Sequence, residues 1–530
     1  MEGEGLVNRA FYDSELEQYG IPIRPGEPGK APFWNGYSTK FSFAPAFELP
    51  LVAGAGAYRF TAIAGDGQIH TFEADVPWAP LTPIWAELPE GMVKLKVEGV
   101  AQPGGVALGN AGEKAFYRSP VFNGPYRDPA PISYEEAGKN GLRALLKQRK
   151  FQYWLQEGKP DPECRLYCYP AKEMGAALRG MSAYSKITAD PQESREAIQI
   201  ALLMADFLIE TSIPAGQPLE HMPLIYWLNP DSQIIEHVKT AASRVTTMMM
   251  SEPTRAAFGF LDLYDATGEK RLLEAAVRMA RTFVKIQRAD GTWPLVVNRE
   301  TGEEIESKPV IPTWILFFLD RLSAQYGFTE FDPVRRQVEQ WIMEHPVKNF
   351  HWDAQFEDIK IKAPYEKMSY EQAADMAGYL FDHAHDNPER IRLAEEILRF
   401  VEDQFVVWEH PTQGWKELGL AGSVPGKYPT RLVENWITPA VIEQYGFFIV
   451  ARATAFVMRA YGKAYEATGK EVYLAKARSL ANTLVASQQH HGGGEIPTFP
   501  MTTVNFYWTN NSVYTALYLL ELDGIMGSQG

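Results

Sequence analysis

Leu263-Tyr-Asp-Ala-Thr-Gly-Glu-Lys270, followed by Leu272-Leu-Glu-Ala-Ala-Val-Arg-Met-Ala280, recurs later in the chain. The second copy reads Ala464-Tyr-Glu-Ala-Thr-Gly-Lys-Glu471, followed by Tyr473-Leu-Ala-Lys-Ala-Arg-Ser-Leu-Ala481. In each copy an apolar helical stretch stops at a glycine, the usual residue just past a helix end, and a second helix starts at once. Each second stretch ends in a Gln-containing edge and a Gly-containing loop, Gln287-Arg-Ala-Asp-Gly-Thr-Trp293 and Gln488-Gln-His-His-Gly492. Internal similarity on this scale predicts stacked helical hairpins in an array or toroid.

Working outward, period and capping signals predict about twelve helices from Ser133 onward. Their starts fall near Ser133, Pro170, Pro191, Ser251, Gly268, Pro312, Asp332, Ser369, Asn387, Thr438, Gly469 and Trp508. Ser133-Tyr-Glu-Glu136 reads as a capping box opening a long helix to about Gln156, and Ser369-Tyr-Glu-Gln372 as a second box. Short connections alternate with long ones, the long set being Ser212 to Met250, Arg288 to Ile311, Val347 to Met368, Val407 to Ile437 and His490 to Tyr507. That alternation fits six hairpins with every long loop at one end. Loops of such length in a compact domain are usually functional.

Before Pro129 the pattern is β. Met92-Val-Lys-Leu-Lys-Val-Glu98 alternates as a half-buried strand does, and Gly65-Asp-Gly67 separates two further strand-like runs. Residues 1–130 are therefore expected to form a small β-sandwich, and residues 131–530 a helical domain, joined by Tyr126-Arg-Asp-Pro-Ala-Pro131.

The chain has 530 residues, 45% hydrophobic and 22% charged, with a net charge of −15. An acidic chain without a basic stripe is not expected to bind nucleic acid. No apolar run is long enough to span a membrane, and no signal-like leader is visible at the N-terminus. A soluble protein is expected, cytoplasmic or secreted after removal of a signal. Two cysteines, Cys164 and Cys168, give no disulfide framework and no common zinc spacing. No phosphate loop or His-Glu-x-x-His is present, so no cofactor or metal is expected.

The repeated Asp/Glu-Ala-Thr-Gly hairpin, the Gln-x-x-Asp-Gly-Thr-Trp loop and the helix arrangement resemble the six-hairpin glycosidase-like superfamily. The resemblance covers Ser133 to about Gly524. It implies an (α/α)6 toroid, several of whose members carry an N-terminal β-sandwich. It also implies a sugar-binding cavity at the long-loop end. Members are glycoside hydrolases, polysaccharide lyases, sugar epimerases and glycoside phosphorylases. A carbohydrate substrate is thus expected, with oligomeric state open.

Hydrolysis of a glycoside needs two carboxyls, one to protonate the leaving oxygen and one to act on water or carbon. Glu443, among the apolar residues Val441, Ile442, Phe447 and Phe448 in the helix expected from Thr438, is the first candidate for the acid. Glu252 at the start of another helix, Asp353 beside Trp352, and Glu371 are candidates for the base. The loop acids Glu357 and Asp358 lie near Asp353. His221 and Tyr370 are further acid/base candidates. Arg255 and Arg431 are candidates for holding a substrate carboxylate, although each has a neighbouring acid to pair with. Trp293, Trp415, Trp436 and Trp508 are candidate stacking platforms, and Asn510 a candidate hydrogen-bonding group.

Together these features predict a glycoside hydrolase acting on an oligo- or polysaccharide, possibly one containing uronate (a glucuronidase, for example). The alternatives are a lyase acting on uronates by β-elimination, with Tyr370, His221 and Arg431 in its site, a sugar epimerase, or a carbohydrate-binding protein without catalysis.

Overall fold

The computed structural model describes residues 17–30, 33–124, 130–234, 242–357, 365–385, 387–408, 439–445, 449–500 and 507–527. The chain is mainly helical. The longer helices are α1 (Tyr134–Leu146), α2 (Arg149–Glu157), α3 (Pro170–Ile187), α4 (Pro191–Glu210), α5 (Pro253–Thr267), α6 (Lys270–Lys285) and α7 (Thr313–Tyr326). They continue with α8 (Asp332–Glu344), α9 (Glu371–Asp382), α10 (Pro388–Phe405), α11 (Ala451–Thr468), α12 (Glu471–His490) and α13 (Thr509–Gly527). None is long and apolar enough to cross a membrane.

The two sequence repeats fold alike. Gly268 and Gly469 sit at φ 73° and 65°, and each donates its N–H to the tyrosine carbonyl four residues back, at 2.7 Å in both. Thr267 and Thr468 also donate their hydroxyls to the carbonyl four residues earlier, at 2.7 and 2.6 Å. A left-handed residue closing a helix is cheap for glycine and costly for others. Ser133 accepts from Glu136 N–H at 3.1 Å, as a capping residue should. Asp190 and Asn387 cap α4 and α10 in the same way.

Two expected helices differ. The stretch from Ser133 breaks at Gln148, which is extended, so α1 and α2 are separate. Thr438 itself lies outside the described residues, and residues 439–445 after it are not helical. Residues 440–441 form a strand instead, antiparallel to Val406–Val407, and Ile442 bridges Ile449. The β-branched run Val441-Ile442 meets Val406-Val407 there, and packing of such residues favours a pleat over a helix. The helix begins only at Ala451.

The residues divide into two compact units. One comprises Met1–Pro129, Pro346–Ala354 and Ile359–Thr483; the other comprises Ala130–His345, Gln355–Asp358 and Leu484–Gly530.

In the first unit, β1 (Lys40–Phe41), β2 (Ala57–Ala64), β3 (Ile69–Ala74), β4 (Gly91–Val100) and β5 (Ala107–Arg118) form one sheet in the order β1-β5-β4-β2-β3. Val93, Leu95 and Val97 are buried while Lys94 and Lys96 are exposed, as the alternation of β4 predicts. The described residues before Pro129 show this one sheet and no second sheet facing it. Aromatic side chains cover its apolar face: Phe41, Phe47 and Trp85 pack on Phe116 with ring centroids 5.8, 5.7 and 6.1 Å away. The same unit anchors its N-terminal segment on α10. Lys40 Nζ donates to the Asp403 carbonyl at 2.6 Å, and the Asp403 carboxylate accepts from Ser42 and Phe43 N–H at 2.5 and 2.8 Å. Glu402 takes hydrogen bonds from Tyr19, Trp408, Tyr461 and Lys476. Helix α9 packs on α10 and α11.

In the second unit, α13, α3, α5 and α7 pack side by side in a row, backed by α1, α4, α6 and α8 respectively. The long loops here carry β6 (Thr247–Met249), β7 (Pro294–Asn298) and β8 (Glu304–Pro309), paired as one antiparallel sheet. Helices α3 and α5 meet at glycines. A Cβ on Gly175 would lie 2.7 Å from the Arg255 carbonyl group, and one on Gly259 2.7 Å from Gly175 O. This close crossing brings Lys172, one turn before Gly175, to the start of α5.

A methyl group at that crossing should force the helices apart. Gly175→Ala is expected to cost about 1–3 kcal/mol in urea unfolding, as overpacking does. Gly524→Ala, where an added Cβ meets nothing, should be neutral or stabilising by up to about 1 kcal/mol. Equal effects at both positions would show that the crossing is not tight.

Candidate functional site

In the first unit three extended segments are woven together ahead of α9 and α11. Asp353 bridges Met368 and Ser369 bridges Gln444. Ser369 N–H donates to Trp352 O at 3.0 Å, Tyr445 N–H to Met368 O at 3.1 Å, and the Ser369 hydroxyl to Glu443 O at 3.0 Å. Ser369 also accepts from Glu371 N–H at 3.3 Å. The helix starts at Glu371, with Tyr370 at the cap, so Gln372 does not occupy the capping-box position. The bridge to Gln444 fixes the Ser369 backbone and moves the start by one residue.

This weave brings together four residues singled out from the sequence. Glu371 forms a double ion pair with Arg452 in the first turn of α11, through Nη2 to Oε1 and through Nη1 to Oε2 at 3.2 Å. Both side chains are buried, at 1% and 3% exposure. Arg452 Nη1 also donates to the Tyr370 hydroxyl at 3.4 Å, and its guanidinium lies 4.6 Å from the Phe456 ring centroid. Burial pushes the Tyr370 phenol well above its ordinary range; Arg452 opposes this, while Glu371, Glu443 and Asp375 add to it. Glu443, at 7%, keeps more exposure than Glu371 or Arg452. It lies in the woven layer and not in a helix.

Asp353, also buried, receives His351 Nε2 at 2.7 Å and Tyr365 N–H at 3.3 Å. Phe350 and Tyr365 have φ of 56° and 66°. Bulky residues are rare in that region, and the strain is tolerated only where surroundings enforce it.

A second polar group lies in the second unit. Lys172 is 2.5 Å from Glu357, and Glu252 pairs with Arg255 at 3.0 Å. The Arg255 guanidinium is 4.5 Å from the Trp314 ring centroid. Burial disfavours the charge on Lys172, but Glu357 and Glu252 outweigh it and hold the ammonium form. The Glu357 carbonyl accepts from Tyr226 and Arg244, both at 2.8 Å. Nearby in sequence, Glu173 accepts from Thr509 N–H at 3.0 Å, at the start of α13, and Glu495 accepts from Ser512 and Gln148. Burial raises both carboxyls. Asn510 follows Thr509 and is buried; its Oδ1 has no hydrogen-bond partner among the described residues.

Other expected residues stand apart. Trp293 is a core residue, fully buried, with its indole N–H on Phe283 O at 2.9 Å and its ring edge-on to Phe283. It offers no stacking face, because the Asp290-Gly291 turn tucks it under α6. His221 is half-buried at φ 66°, with its N–H on Ile213 O at 2.7 Å. Trp508 is half-buried and edge-on to Phe499. Trp415, Arg431, Trp436 and Asp358 lie outside the described residues. Burial pushes the Cys164 and Cys168 thiols up, to about 11 and about 12, so they are poor nucleophiles and poor metal ligands. Among the described residues no three His, Cys, Asp or Glu side chains cluster as a metal site.

Arg452, Lys172 and Glu173 were not singled out by the sequence. Each lies in the first turn of a helix, but their partners are distant in sequence: Glu357 is 185 residues from Lys172 and Glu371 is 81 from Arg452.

The buried pair generates a stability prediction. Arg452→Met alone, leaving Glu371 charged and unpaired, should cost about 3–5 kcal/mol. The double variant Glu371→Gln/Arg452→Met should recover much of that loss in urea unfolding. Strict additivity of the two single changes would contradict direct pairing.

No protein-family model matches the chain. No curated protein matches it either. Among solved structures it is similar to cellobiose 2-epimerase from Spirochaeta thermophila, at 13% identity and a TM-score of 0.46, covering 73% of this chain and 97% of that one. It is also similar to a family 76 glycoside hydrolase from a bovine Bacteroides thetaiotaomicron strain, at 11% identity and a TM-score of 0.46, covering 88% and 93%. A third similar structure is an unsaturated glucuronyl hydrolase from Streptococcus agalactiae, at 11% identity and a TM-score of 0.44, covering 75% and 92%. Likeness at these scores does not fix an activity. By name the three are an epimerase and two hydrolases.

Proposed function

We propose that the chain is a carbohydrate-active enzyme, a glycoside hydrolase that uses the carboxyls of the first unit. Glu443 acts as the general acid and protonates the glycosidic oxygen. Glu371, held in its double ion pair with Arg452, acts as base and takes a proton from the attacking water. The C–O bond to the leaving group breaks as the bond to water oxygen forms. Asp353, oriented by His351, is the alternative base on the same weave. The substrate is an oligo- or polysaccharide, with uronate-containing chains the first class to test, since cationic side chains accompany the acids in both units.

The observation that carries this reading is the weave that sets Tyr370 and Glu371 against Arg452 and ties the Glu443 carbonyl to the Ser369 hydroxyl. Acid–base division of labour requires two carboxyls with different surroundings: Glu371 is closed in a double ion pair with a guanidinium, and Glu443 keeps more exposure. The state of Tyr370 weighs against β-elimination. A phenol held above its ordinary range by burial stays protonated and is a poor base for the C5 proton.

The test is a product assay on neutral and uronate-containing oligosaccharides, reading reducing ends and the ultraviolet absorbance of unsaturated uronates together. Hydrolysis gives reducing ends without absorbance. Glu443→Gln is expected to lower kcat by about 10²–10⁴-fold, with binding retained. Absorbance rising with the reducing ends would mean a lyase. Neither signal on any substrate would leave an epimerase or a binding protein.

A further inference from the structure

The first unit contains a cavity of about 440 Å³ away from the residues proposed for catalysis. Ile21, Phe43, Arg399, Lys470 and Tyr473 are among its lining residues. It lies where the N-terminal segment passes over α10 and the start of α12. Tyr473 is half-buried, and its ring stacks on Tyr461, with centroids 6.2 Å apart and planes at 24°.

The charges around the cavity balance at every position but one. Glu395 is paired with Lys470 and accepts from Tyr473 at 2.9 Å. Glu396 is held by Arg24 Nε at 2.8 and 2.7 Å. Glu402 is paired with Lys476 at 2.9 Å and carries three further donors. Arg392 is paired with Glu389 at 2.8 Å. Arg399 differs. It donates to the Ile21 carbonyl, and its guanidinium lies 4.8 Å from the Phe43 ring centroid. Its Nε has no hydrogen-bond partner among the described residues, and it forms no ion pair there. Burial pushes Arg399 below its ordinary range, and Glu396, Tyr473, Asp403 and Glu402 do not offset it. A half-buried guanidinium facing a cavity without a carboxylate partner is an incomplete ion pair, and such a group favours an incoming anion with planar oxygens.

We propose that this cavity binds a small organic carboxylate or phosphate, whose oxyanion pairs with Arg399 and whose body lies against Tyr473. A carboxylate and a phosphate share the oxyanion chemistry, and the probes separate them.

The experiment is calorimetric titration of the full chain with sodium glucuronate, inorganic phosphate and glucose. The proteins are wild type, Arg399→Met, Arg399→Lys and Glu443→Gln. At least one oxyanion should bind wild type and Glu443→Gln alike, which separates this cavity from the proposed catalytic carboxyls. The same probe should bind Arg399→Met at least about tenfold more weakly, while Arg399→Lys keeps most of the affinity. Glucose should not bind at this site. If Arg399→Met does not fold, protection of Arg399 from phenylglyoxal by the same probe, read by mass spectrometry on wild type, replaces it. No oxyanion binding to wild type, binding indifferent to Arg399→Met, or labelling of Arg399 unchanged by the probe would overturn the proposal.

Discussion

A buried ion pair that cannot be left half-made sets the geometry of the first unit. Removing a carboxylate and a guanidinium from water costs several kcal/mol per ion, and only a close, doubly hydrogen-bonded arrangement offsets it. Glu371 and Arg452 meet that condition. The first turn of α9 must therefore stand beside the first turn of α11. The segments leading into those helices then converge as well, which is why residues 352–354, 367–370 and 440–445 interlace by backbone bridges. Glu443 owes its position to that interlacing and not to a helix of its own.

The second unit meets a similar constraint by different means. Two glycines let α3 and α5 approach to backbone contact. The closeness places Lys172 of one helix near Glu252 and Arg255 of the other; Lys172 then pairs with Glu357, and Glu252 with Arg255. In both units the polar groups gather at the first turns of helices, where backbone N–H groups lack intrahelical partners and carboxylates are favoured. A chain that stacks helical hairpins thus acquires chemistry at its helix starts, with glycine or ion pairs setting how near those starts come.

What could be read from the sequence was local. The Ala-Thr-Gly turns at Gly268 and Gly469, the cap at Ser133, the helix starts near Pro191 and Asn387, and the alternation of Met92 to Glu98 depend on neighbours a few residues away. Each appears in the structure as expected. What failed depends on distant partners. Val441 and Ile442 fit a helix as well as a strand until Val406 and Val407 are set beside them. Trp293 looks like a loop platform until the Gly291 turn folds it beneath Phe283. Of the candidate site, Tyr370, Glu371, Glu443 and Asp353 were found as acids or a phenol at helix starts and in long loops. Arg452, which holds Tyr370 and Glu371, was missed because nothing near it in sequence marks it.

The central claim is that Glu443 and Glu371 face the same glycosidic bond. The most direct measurement is a crystal structure of the Glu443→Gln protein soaked with an oligosaccharide that the wild type cleaves. The prediction is a glycosidic oxygen within hydrogen-bond distance of the residue 443 side chain, with a water between Glu371 and the anomeric carbon on the opposite face. A saccharide bound with neither side chain near the scissile bond would contradict it.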